Sequence, residues 1–121
     1  MKKKIIIIFA ILSLVLAALI LRPVPIVTES KALVVNGIVS DIYEGGAKDI
    51  AFKLKYDNRI YYINRGLERG LEIGDLKQNL VGKEVILKYP KHWTPLDWND
   101  KIKHISKVES SGQVFFNELK K

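Results

Sequence analysis

The sequence predicts a mainly β domain that follows a single N-terminal transmembrane helix. The first observation is an apolar run from Ile5 to Leu21 that only Ser13 interrupts. The second is a series of short segments rich in Val, Ile, Leu and Tyr, several with alternating polar residues, separated by turn-forming residues. The third is one short stretch with helical spacing, marked by Leu76 and Leu80, between the third and fourth of these segments.

The apolar run is just long enough to cross a bilayer. As a helix, residues 5–21 would cover roughly 25 Å, against a hydrocarbon core of about 30 Å. A cleaved signal peptide also has lysines before an apolar region, but that region usually ends at a small-x-small site, and this run continues past Ala17 and Ala18. We therefore expect residues 1–22 to be an uncleaved signal-anchor, with a cleaved signal or a buried core helix as alternatives.

The charges that flank the run predict its orientation. Lys2, Lys3 and Lys4 precede it, whereas Arg22 is the nearest base on the other side. Because positive charge is retained in the cytoplasm, we expect a single-pass protein of the inner or plasma membrane with a cytoplasmic N-terminus and an extracytoplasmic C-terminal domain. The prolines and polar residues of the stretch 23–30 predict a short tether between membrane and domain.

The membrane flank accounts for much of the basicity of the chain. The formal net charge is +7, from 20 Lys and Arg against 13 Asp and Glu. Residues 1–22 hold four of those bases and none of the acids, which leaves +3 on the remainder. A charge this small does not match the footprint of a dedicated nucleic-acid binder, so nucleic acid is an improbable partner.

Six strands and one helix are predicted in the domain, residues 31–119. Gly37 lies inside the first strand and predicts a bulge or a sharp bend there. Asp57 and Asn58 predict the tight turn of a hairpin. In order, we expect strands over 31–43, 50–56 and 59–63, a helix from 74 or 75 to 80, and strands over 83–89, 102–109 and 113–119.

This order of elements resembles the OB-fold, a small five-stranded Greek-key barrel. The long bent first strand and the helix between strands three and four carry the resemblance. The segment Gly82–His104, GKEVILKYPKHWTPLDWNDKIKH, is also similar to stretches of short membrane-anchored bacterial proteins of uncharacterised function with an OB-like domain. The resemblance implies an OB-like barrel of five to six strands, with an SH3-like barrel or a β-roll as the alternative.

The OB resemblance implies a location for a ligand. Ligands of OB-folds contact strands two and three and the loops after strands one and four, here 44–49 and 90–101. Charged and aromatic residues in these places are the candidate ligand-binding residues: Arg59, Tyr61 and Arg65 near strand three, and Lys91, His92, Trp93, Asp97 and Trp98 in the second loop. The residues Trp93, Pro95, Leu96 and Trp98 would equally suit a loop that plugs the open end of a barrel.

The chemistry-bearing residues predict binding rather than catalysis. His92, Asp97, Asp100 and His104 are of types that bind zinc, but their spacing matches no established motif. We therefore expect no catalytic residues, metal or cofactor, and a non-enzymatic module that recognises a protein or an envelope polymer. The alternative is binding of single-stranded nucleic acid or another polyanion through Arg59, Tyr61, Arg65, Lys91 and Trp93, and a metal-dependent hydrolase comes third.

Overall fold

A computed structural model describes residues 1–120. Within these residues the chain forms two α-helices and seven β-strands, with 3-10 turns between some of them. The elements are α1 (Lys2–Ile20), β1 (Leu33–Glu44), β2 (Ile50–Leu54), β3 (Ile60–Ile63), α2 (Ile73–Leu80), β4 (Glu84–Tyr89), β5 (Ile102–His104), β6 (Lys107–Ser110) and β7 (Gln113–Asn117). The predicted helix between the third and fourth strands is therefore confirmed as α2.

The apolar run forms one uninterrupted helix, α1, in which no residue is buried and whose C-terminal end lies beside the 95–97 turn. Large apolar side chains are exposed along it from Ile5 to Leu19. The helix is long and apolar enough to cross a membrane, and a signal sequence would meet the same criteria. The predicted apolar helix is confirmed, while its permanence and its orientation stay predictions.

Strand β1 changes partner halfway along its length. Residues 33–38 pair with β4, and residues 39–44 pair with β2. The register shift lies between Val39 and Asp41, three residues after the predicted bend. Gly37 has a different role: a Cβ there would lie 3.0 Å from Cδ1 of Leu54, so glycine allows this side chain to approach the strand closely.

The strands form one mixed sheet in the order β5-β3-β2-β1-β4-β6-β7. Among the strand pairs formed by residues 1–120, only β3–β5 is parallel. Strand pairing does not close this sheet, so the structure does not support the predicted closed barrel of five to six strands. The predicted fifth strand is divided in two: the amide of Ile105 donates to the carbonyl of Tyr62, and that of Ser106 to the carbonyl of Lys88, both at 2.7 Å. Adjacent residues thus bind β3 and β4.

The core lies between the sheet and α2. Leu76 and Leu80, one turn apart on α2, are buried as their spacing predicts. They join the inward side chains of the strands, among them Phe52 and Leu87, which are fully buried.

At one end of the sheet Leu33 pairs with Tyr89, and at the same end β3 and β5 begin. We call this end the loop end, because the 90–101 loop lies there.

The predicted tether is partly docked on the domain. The amide of Lys120 donates to the carbonyl of Val27 at 2.9 Å. The carboxylate of Glu29 accepts hydrogen bonds from Lys88 and from Lys107, the latter at 3.0 Å. These hydrogen bonds, from Lys88 first, lower the pKa of Glu29 below its ordinary value. Glu29 is therefore ionised at neutral pH and links the end of the tether to the side of the sheet.

Candidate functional site

An open cavity of about 670 Å³ lies at the loop end of the sheet. The tether forms one wall, the 90–101 loop forms another, and the ends of β1, β3, β4 and β5 form the floor. We call it the loop-end cavity. Its lining residues are Arg22, Pro23, Pro25, Leu33, Arg59, Tyr89, Lys91, His92, Trp93, Asp100 and Lys103.

Cationic side chains dominate the charge of the cavity. Four of its lining residues are Lys or Arg, and Asp100 is the acid among them. Arg59 donates through Nε to the carbonyl oxygen of Asp100 at 3.2 Å, and its Nη2 lies 3.4 Å from Oδ2 of the same residue. Lys103, only 7% exposed, contacts the other carboxylate oxygen. Because two cations share one carboxylate, the cavity keeps an excess of positive charge.

Lys91 and Arg22 add the remaining positive charge. The side chain of Lys91 is exposed, and among residues 1–120 no carboxylate lies within 4.0 Å of its ammonium group. Arg22 donates through Nη2 to the carbonyl oxygen of Trp93, which ties the end of the helical segment to the loop. The sequence did not predict two of these residues. Arg22 follows the apolar run and has the position of a membrane flank, and nothing in the sequence distinguishes Lys103 from the other strand lysines.

His92 lies at the border of the cavity and titrates below the usual range. Burial, followed by the positive charge of Arg22, lowers the pKa of the imidazole. The ordinary histidine pKa is about 6.5, so His92 is neutral at pH 7 and can both donate and accept a hydrogen bond.

The two tryptophans of the loop contact each other, and Trp98 is the more exposed of the two. The ring centroids of Trp93 and Trp98 are 5.8 Å apart. Trp98 is 76% exposed and Leu96 is 74% exposed. The plug interpretation is therefore wrong for Trp98 and Leu96, because a plug would bury them against the end of the sheet.

Asp97 holds the shape of the loop. Its two carboxylate oxygens accept the amide protons of Lys101 and Ile102, each at 2.9 Å. These bonds connect the 3-10 turn at 95–97 to the start of β5. We infer that Asp97 positions the loop rather than contacting a ligand in the loop-end cavity.

Tyr61 is a core residue, contrary to the prediction of a stacking platform. Its ring is 1% exposed and lies 5.9 Å from the ring of Tyr89. Its hydroxyl donates to Oδ2 of Asp57 at 2.7 Å. Burial, and then this hydrogen bond, raise its pKa well above the ordinary value. The alternation along β3 explains the outcome, since Tyr61 faces inward and Tyr62 faces outward.

Arg65 lies at the opposite end of β3 from Arg59. The intervening extended residues separate the two by roughly 20 Å. The amide of Arg65 donates to Asp49, and its guanidinium lies 3.9 Å from Glu68. The predicted grouping of Arg65 with Arg59 is therefore wrong, because one strand carries them to different ends of the sheet.

A second polar cluster joins the C-terminal segment to the sheet. Glu118 binds His104 through one carboxylate oxygen and Nη1 of Arg69 through the other, at 3.1 Å. The Arg69 guanidinium also lies over the ring of Phe116, 5.6 Å from its centroid. Sequence reasoning did not find this cluster, since its members are distant in sequence. Because Nε2 of His104 is hydrogen-bonded to the carboxylate of Glu118, this histidine has a structural role.

The described residues contain no group of three His, Asp or Glu side chains arranged to hold a metal ion. Of the four residues weighed as zinc ligands, Asp97 binds backbone amides, Asp100 binds Arg59 and Lys103, and His104 binds Glu118.

Comparison with known proteins adds no relative: no family model matches the chain, and no curated protein or solved structure is significantly similar to it. The geometry of the loop-end cavity therefore carries the functional argument.

Proposed function

We propose that this chain is a membrane-tethered, non-enzymatic binding module whose loop-end cavity recognises an acidic group of a protein or an envelope polymer. The observation that carries the proposal is the cavity itself. Its walls combine Lys91 and Arg22 with the ring of Trp93, next to the point where the apolar helix ends.

The module is OB-like in its connectivity. β1 serves both β2 and β4, α2 separates β3 from β4, and β5 runs parallel to β3. Ile105 and Ser106 then carry one extended segment from β3 to β4, which supports an OB-like arrangement. The cavity lies beside the loop after the fourth strand, and ligands of OB-folds frequently contact this loop.

Helix α1 and the tether would determine the cellular location of the module. α1 would remain uncleaved in the inner or plasma membrane, with Lys2, Lys3 and Lys4 in the cytoplasm and the sheet outside. The partners of the module would then be molecules of the cell envelope within reach of the membrane surface.

The cavity favours carboxylates or phosphates as the groups that are recognised. Lys91 supplies an exposed ammonium group with three donors, and Arg22 supplies the planar guanidinium that suits such anions. The adjacent ring of Trp93 offers an apolar face to the rest of the ligand. The polyanion alternative shares this chemistry, but two residues assigned to it, Tyr61 and Arg65, do not reach the cavity.

Photo-crosslinking in living cells tests the proposal. A photoreactive lysine analogue that keeps the ammonium group replaces Lys91 in one variant of the full chain and Lys83 in a matched control. Lys83 is also an exposed lysine, but it lies next to the start of β4, at the far end of that strand from Tyr89. We expect a discrete crosslinked product from position 91 and none from position 83.

Equal crosslinking at both positions, or none at position 91 with both variants folded and in the membrane, would contradict the proposed site. Mass spectrometry of the product then distinguishes a protein from an envelope polymer.

A further inference from the structure

The segment Trp93–Trp98 presents apolar side chains that the domain leaves uncovered. Trp98 and Leu96 are each about three-quarters exposed, at 76% and 74%. They lie on and beside the 3-10 turn at 95–97. Asp97 ties this turn to the start of β5 through two backbone amides, so the structure presents the side chains in a defined orientation.

This segment lies directly beside the end of α1. Ile20 and Val24, from the end of the helix and the start of the tether, share a cavity of about 300 Å³ with Thr94 and Leu96. On the neighbouring side, Arg22 donates to the carbonyl oxygen of Trp93. The loop is thus held at the level where the apolar helix ends.

The composition of this region matches that of a membrane interface. Tryptophan is enriched at the boundary between acyl chains and water, where its ring is apolar and its indole N–H can still find an acceptor. Trp98 and Leu96 supply an exposed ring and an exposed apolar side chain of this kind in one loop.

We propose that the segment Trp93–Trp98 docks on the bilayer that α1 spans, with Trp98 and Leu96 inserted among the lipid headgroups. The proposal rests on the membrane anchor of the proposed function, and it adds a second contact with the same membrane. Such a contact restricts the rotation of the sheet about its tether. The loop-end cavity then opens close to the membrane surface.

The partner is a lipid surface rather than a second protein because of this continuity with α1. A membrane that accommodates the helix up to Leu21 lies necessarily against whatever side chains surround the end of that helix. In the structure these side chains are Leu96 and its neighbours in the loop.

Tryptophan fluorescence tests the contact selectively, because Trp93 and Trp98 are the two tryptophans of the chain. The full-length Trp93→Phe variant, which retains Trp98, is reconstituted into vesicles of phosphatidylcholine and phosphatidylglycerol. Quenching is measured with acrylamide in the water and with lipids brominated on the upper acyl chain. The matched control carries Gln113→Trp in a chain whose two native tryptophans are replaced by phenylalanine. Gln113 is exposed and follows β6 at the end of the sheet away from the loop.

We expect Trp98 to be quenched by the brominated lipids and to be several-fold less accessible to acrylamide than the tryptophan at position 113. Flotation of the vesicles in a density gradient reports on the anchor separately. A chain that floats while Trp98 is quenched as strongly by acrylamide as the control overturns the docked loop alone. A chain that does not float overturns both the anchor and the docked loop, while photo-crosslinking at Lys91 still tests the cavity.

Discussion

Arg59 reaches across 41 positions of sequence to bind Asp100 through both its backbone carbonyl and its carboxylate. The contact joins the hairpin before β3 to the end of the 90–101 loop. Lys103 donates to the second carboxylate oxygen, so one carboxylate binds two cations in the wall of the loop-end cavity. Asp100 itself adopts a left-handed backbone conformation, with φ of 55°.

Asp100→Asn should destabilise the domain by about 1–3 kcal/mol, since the nearly buried Lys103 loses its charged partner. Asparagine keeps the volume of aspartate and tolerates the left-handed conformation, so the change isolates the charge. Urea unfolding of the detergent-solubilised full chain measures the effect. In a Lys103→Met background the same substitution should cost much less. An equal cost in both backgrounds would show that Asp100 does not act through Lys103.

Gly66→Ala should cost about 1–3 kcal/mol by overpacking the core. An added Cβ would lie 2.7 Å from Cδ1 of Ile50 and 3.2 Å from Cγ2 of Ile63, and both isoleucines are fully buried. The control is Gly74→Ala on α2, where nothing lies within 4 Å. That change should be neutral or stabilising by up to about 1 kcal/mol, because alanine favours the helix. Equal unfolding midpoints for the two variants would contradict the packing described for Gly66.

Trp98→Ala should leave the free energy of unfolding within about 0.5 kcal/mol of the wild type, because the side chain is 76% exposed. Leu87→Ala is the contrasting change. Leu87 is fully buried, and its truncation should cost about 2–5 kcal/mol. Both values come from urea unfolding of the detergent-solubilised full chain. A loss at Trp98 comparable to that at Leu87 would restore the plug interpretation.

The contribution of Glu118 to stability should disappear in acid. Burial acts to raise the pKa of this carboxyl, but the hydrogen bond from His104 and the charges of His104 and Arg69 outweigh it and leave the pKa below its ordinary value of 4.5. A depressed pKa means that the unfolded chain binds the proton more readily. The stabilisation is therefore present above the unfolded pKa and is lost as the pH falls through the folded pKa.

Comparing the wild type with Glu118→Gln by urea unfolding across this range tests the sign. The wild type should be the more stable at neutral pH, and the difference should shrink as the solution is acidified below the ordinary carboxyl pKa. A difference that grows in acid would contradict the cluster.

Local patterns predicted the elements of the fold well, and long-range contacts account for what they missed. The one-turn spacing of Leu76 and Leu80 predicted α2, and the alternation from Ile50 predicted β2. Strand alternation alone could not reveal that the segment 102–109 divides at Ile105 and Ser106, where adjacent amides serve different strands. That division depends on where β3 and β4 end in space.

The candidate site was predicted only in part, because local sequence patterns do not reveal long-range contacts. Lys91, His92 and Trp93 line the loop-end cavity, as expected for neighbours in one loop, and Arg59 joins them. Tyr61 and Arg65 do not, because strand alternation buries the first and strand length separates the second. Arg22 lines the cavity because its guanidinium binds the carbonyl oxygen of Trp93, 71 residues away. The local sequence does not predict this contact.

Titration of the full chain in phosphatidylcholine nanodiscs with a glycerol phosphate polymer tests the central claim most directly. The account predicts binding that weakens steeply with salt, a several-fold loss for Lys91→Gln, no change for Lys83→Gln, and no binding of a neutral dextran. Equal affinities for the two lysine variants, or equal binding of the neutral polymer, would contradict recognition of an acidic group in the loop-end cavity.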